Sequence, residues 1–122
     1  MRRHRFERLV VRALASLPRQ YRDRIENVAV LVAAEPDEET RRGLGLQPGE
    51  VVYGLYFGVP LTERGSSYGM ELPDRIVLYQ KAIEGASRSD TTIMHLVRKV
   101  VVHEVAHHFG LSDAELRRLS QA

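Results

Sequence analysis

The chain has 122 residues, a net charge of +2 and no cysteine. That length suits one domain with one core, and without thiols neither a disulfide framework nor a cysteine nucleophile or zinc ligand is available. No apolar run approaches the roughly 18–20 residues of a membrane span, and the composition is that of a globular protein for which a reducing, cytoplasmic setting is expected.

Charge is unevenly spread. Eight of the 16 arginines fall in residues 1–24 beside two acids, Glu7 and Asp23. This segment is not read as a signal peptide, because Glu7, Arg8 and Arg12 interrupt any apolar core of the required length. Phe6, Leu9, Val10, Ala13, Leu14 and Leu17 recur at helical spacing, so an amphipathic helix over about 5–17 is expected, ending at Pro18. Its arginines then form a solvated outer face. Nucleic-acid binding is the lesser reading of them.

Residues 19–25 can add one helical turn. Residues 28–33, rich in valine, predict a central strand. Residues 36–48 predict a helical turn and loops, and Gln47-Pro-Gly-Glu50 a turn. Residues 51–57 predict a second strand, 58–74 a long Gly/Ser-rich connection and 75–83 a third strand. Ser89 or Asp90 is placed to cap a helix over about 91–109, apolar around much of its circumference and so buried. Its Val100-Val101-Val102 triplet favours a strand locally, and packing has to override it. Gly110 stops this helix. A last short helix is expected over about 113–120.

The chemistry sits at its end. Residues 103–113 read His-Glu-Val-Ala-His-His-Phe-Gly-Leu-Ser-Asp. On a helix, His107 stands about one turn above His103 and only roughly 40° around the axis, so both imidazoles can reach one ion. Glu104 lies roughly 60° from His107, beside the same face. Two histidines and a carboxylate at this spacing suit a zinc ion with a general base next to it. Zinc polarises water and a substrate carbonyl, and Glu104 takes the water's proton and hands it to the leaving amine. A third ligand is required. The chain reverses at Gly110 and presents Asp113 three residues later. Ser112-Asp-Ala-Glu115 also reads as a helix capping box, with Asp113 a first-turn acid and Glu115 the substitute ligand.

The string His-Glu-x-x-His-x-x-Gly-x-x-Asp resembles the zincin metallopeptidases, and the order of elements extends a resemblance to the small bacterial zincin-like metallopeptidases, related to metzincins, over most of the chain. The resemblance implies a minimal zincin α+β fold: a small mixed twisted sheet packed against an N-terminal helix and an active-site helix, with a short C-terminal helix. It implies zinc held by His103, His107 and Asp113, Glu104 as catalytic base, and a peptide or protein substrate. It also implies that an extended peptide adds to a sheet edge above the metal, for which 75–83 is the expected strand. Larger metzincins carry a methionine turn beneath the zinc; the nine residues after Asp113 hold no methionine. A non-catalytic zinc-stapled interaction protein is therefore the alternative.

The remaining candidates have ordinary readings. Tyr68 and Tyr79 are conceivable oxyanion donors but more often packing or surface residues. His95 shares the side of His103 and reads as a hydrogen-bonded structural histidine. His108 points about 100° from His107 and reads as a supporting or surface residue. His4 lies in a basic terminus.

Overall fold

The computed structural model describes residues 1–58 and 74–110. Helix α1 (Arg3–Ala15) buries Phe6, Leu9, Val10 and Ala13, the stripe seen in the sequence. It starts two residues earlier and ends two earlier than expected. After Pro18 the chain resumes as α2 (Arg19–Arg24), with Tyr21 buried. Strand β1 (Ala29–Ala33) follows, then α3 (Glu38–Leu44), whose N-terminus is capped by Asp37 Oδ1 accepting from the Thr40 amide at 2.8 Å. The expected turn forms, with the Glu50 amide donating to the Gln47 carbonyl at 3.0 Å. Strand β2 (Gly54–Phe57) and β3 (Arg75–Tyr79) complete the sheet. Helix α4 (Gln80–Gly85) and helix α5 (Asp90–His108) close the described chain.

The sheet order is β1-β3-β2. β1 runs parallel to β3, with Val30 opposite Ile76, and β2 runs antiparallel to it, with Tyr56 opposite Ile76. This mixed sheet against helices is the expected α+β class. Three expectations are corrected. The third strand is central and cannot offer an edge to a peptide, because both its sides are hydrogen-bonded within the sheet. It also ends at Tyr79, where residues 80–85 turn helical. The strand expected at the centre over 28–33 forms as β1 and, among the described residues, lies at an edge of the sheet. A valine-rich strand is not diagnostic of position here; on β1 the Val32 carbonyl accepts from the Arg3 guanidinium at 3.2 Å.

The core lies between α1, α5 and the sheet. α5 contributes Ile93, Val97, Val100, Val101 and Val105, β3 contributes Ile76 and Leu78, and Leu17, Tyr21 and Ile83 complete it. Burial of such side chains is worth roughly 1.5–3 kcal/mol each, which is how a valine triplet with strand preference is held helical. Val100 and Val101 are both in the core, with Val102 packed on it. β2 lies close on α5 because residue 54 is glycine: a Cβ there would sit 2.8 Å from Val100 Cγ1 and 3.1 Å from the Val77 carbonyl.

The last expected helix, with Asp113 and Glu115, and most of the 58–74 connection, with Tyr68, lie outside the described residues. Among the described residues no helix is long and apolar enough to cross a membrane.

Candidate metal centre

α5 is built to hold its last turns firmly. Ser89 caps it by accepting from the Thr92 amide, and Thr92 Oγ1 accepts from the Ser89 amide, a reciprocal box. At the other end Gly110 takes φ +67°, the left-handed conformation that ends helices. Between them the buried valines fix the helix rotation, and that rotation decides which way the motif faces.

His103 and His107 are exposed on one face, their rings 5.6 Å apart and within 17° of parallel. One turn of helix has thus brought two imidazoles side by side, as the spacing predicts. Such a pair suits a zinc ion, which accepts nitrogen donors at about 2.0–2.1 Å. Among the described residues no group of three or more metal-binding side chains converges. The third donor expected at Asp113 lies outside them.

Glu104 is half-buried beside the histidine pair. Burial raises its carboxyl above the ordinary value of 4.5, with His103 and His107 opposing the rise. A carboxylate less acid than usual keeps a proton more readily, the property wanted of a group that accepts and then returns one. Glu104 and His103 face a cleft of about 380 Å³ between α5 and β2, with Val52, Tyr53, Gly54 and Leu55 along its other wall. Leu96 and Val100 make its floor apolar.

His108 does not join this face. Its ring stacks on Tyr56 at 3.9 Å and 14°, and its Nε2 lies 3.7 Å from Asp74 Oδ2. Tyr56 in turn donates its hydroxyl to Asp74 Oδ2 at 2.8 Å. Gly58 completes the cluster, since a Cβ there would lie 3.0 Å from His108 Cε1 and 3.1 Å from Tyr56 Cε1. Strand β2, the residue before β3 and the last turn of α5 are pinned together next to His107. The sequence marks His108 only as a supporting or surface residue and gives no sign of Tyr56 and Asp74, because no local spacing links the three. Phe109 adds a further contact beneath the Arg24 guanidinium, 5.2 Å from its centroid.

The other candidates fall elsewhere. Tyr79 is buried and borders a separate pocket with Ala34 and Val51, so it serves packing. Burial raises its hydroxyl pKa, with Asp37 adding and Arg75 opposing. His95 is not a hydrogen-bonded structural histidine; it is exposed on a groove that ends at His103. His4 is exposed on α1.

No curated protein matches the chain significantly. Among solved structures it is similar to a conserved hypothetical protein from Thermo thermophilus, with a TM-score of 0.56 and 22% identity over 88% of this chain and 92% of that one. That likeness supports the fold. A family model described as zincin-like metallopeptidase matches residues 25–122, from the end of α2 through the histidine pair and beyond. That match spans well over half of the chain, and the chain belongs to the zincin-like metallopeptidase family.

Proposed function

We propose that the protein is a zinc-dependent peptidase, with His103, His107 and Asp113 holding the metal and Glu104 acting as general base. The observation that carries this is the side-by-side pair of exposed imidazoles with Glu104 half-buried beside them at an open cleft. When bound, zinc would supply Lewis acidity, lowering the pKa of water and polarising the scissile carbonyl. Glu104 accepts the proton of the attacking water on its carboxylate and delivers it to the leaving amine. The half-buried setting that raises its pKa suits both halves of that transfer.

The peptide lies in the cleft between α5 and residues 52–55. That segment includes the start of β2, an edge strand among the described residues, so strand addition moves from the third strand to this one.

The experiment is the Glu104→Gln variant. It keeps zinc and loses peptide hydrolysis by a factor of at least about 10². Turnover equal to the parent protein's would reject Glu104 as base. Zinc bound tightly with no hydrolysis by the parent would favour a stapled interaction protein.

A further inference from the structure

A second groove, of about 580 Å³, runs along the adjacent flank of α5 and shares Lys99 and His103 with the first. Its apolar side is formed by Leu17, Pro18 and Tyr21 at the α1–α2 junction. This wall precedes the span matched by the family model, which begins at residue 25. Its other side is a stripe on α5 at the spacing i, i+3, i+4, i+8: His95, Arg98, Lys99 and His103. Among the described residues no acid lines it, and α5 carries none between Asp90 and Glu104.

Two features make this stripe more than a solvated cationic face. Arg98 is already oriented: its Nη1 donates to Ser16 Oγ at 3.0 Å, and Ser16 Oγ donates to the Ala13 carbonyl at 2.9 Å. That leaves most of the guanidinium's five donors available in a fixed orientation. Lys99 is exposed and, among the described residues, pairs with no carboxylate. Elsewhere on the surface Arg5 pairs with Asp90 and Lys81 with Glu35. Lys99 and His103 also line the cleft that holds Glu104, so the two cavities meet at those side chains.

We propose that this groove is a subsite for an acidic side chain of the peptide substrate, whose carboxylate is held by Lys99 and Arg98 while its methylenes lie on Leu17, Pro18 and Tyr21. The inference rests on the peptidase reading for its substrate, and on the groove alone for its charge preference. Apolar walls strengthen the attraction by focusing the field of the two cations. Position follows from helix geometry: Lys99 and Arg98 precede His103 by about 6 and 7.5 Å along the axis. An extended peptide advances roughly 3.3–3.6 Å per residue. The acidic residue therefore stands about two residues from the scissile bond.

The test has two arms. Zinc-supplemented protein is offered a degenerate peptide library, and residues flanking the cut sites are counted. Aspartate and glutamate are expected to be enriched about two residues from the cut, and Lys99→Glu to replace that enrichment with lysine and arginine. In the second arm, zinc-loaded Glu104→Gln protein is titrated with fluorescent hexaglutamate, hexaglutamine and a single-stranded oligonucleotide. Hexaglutamate should bind at least about tenfold more tightly than hexaglutamine, with the advantage lost in added Lys99→Gln and Lys99→Glu variants and at high salt. Cleavage without acidic enrichment, equal binding of the two peptides, or a preference for the oligonucleotide over hexaglutamate would overturn the subsite. No cleavage by the parent protein, with charge-dependent hexaglutamate binding intact, would count against the peptidase reading and leave the groove's preference standing.

Discussion

Glu104 gives the sharpest residue-scale consequences. Because burial lifts its folded-state pKa above the ordinary 4.5, the folded chain holds that proton more firmly than the unfolded chain does. In metal-free protein, the contribution of Glu104 to stability therefore falls as pH rises from about 4.5 through the raised value, then levels off. Glu104→Gln removes the penalty. In the presence of a chelator its Tm should exceed the parent's at pH 7–8, and the gain should shrink as pH falls toward about 4.5. A difference in Tm that ignores pH would contradict this account of the carboxyl. His108 acts differently. Its ring is stacked on Tyr56 and faces Asp74, so His108→Ala should cost about 1–2 kcal/mol in a denaturant titration. It should also weaken zinc binding about tenfold by loosening the turn that carries His107. Loss of stability with unaltered metal affinity would reduce the cluster to ordinary packing.

At the scale of elements, α5 carries the molecule. Ser89→Ala removes one partner of the capping box and should lower stability by about 1 kcal/mol. Gly54→Ala would drive a methyl group against Val100 and the Val77 carbonyl, costing about 1–3 kcal/mol and displacing β2 from the helix. Both losses are measurable by urea unfolding. This helix is also the most legible part of the sequence: its capping serine, its apolar circumference, its glycine stop and the facing of His103 and His107 all follow from local chemistry at a period of 3.6. Strand order is not legible in the same way. Residues 29–33 and 75–79 are both β-branched and apolar, and nothing within either says that the second lies at the centre. Only the pairing of β3 with two partners decides it. The turn from strand to helix at Gln80 is hidden for a similar reason, since no glycine or proline punctuates residues 75–83.

Over the whole molecule, α1 and the sheet grip α5 from two sides and leave a cavity on each flank of the His103 turn. One flank presents Glu104 and the start of β2, the other a cationic wall backed by the α1–α2 junction. The motif is readable from spacing alone. The grooves are not, because each is made by residues distant in sequence: Leu17 meets Arg98, and Val52 meets Glu104 only through the fold. The same holds for the Tyr56–Asp74–His108 cluster.

The most direct test is zinc stoichiometry measured on the same preparations as peptide hydrolysis, for the parent protein, Glu104→Gln and His107→Ala. The account predicts about one zinc per chain in the first two, hydrolysis only in the first, and neither metal nor hydrolysis in the third. A parent protein that takes up no zinc when supplied with it, or a Glu104→Gln variant that cleaves as fast as the parent, would contradict it.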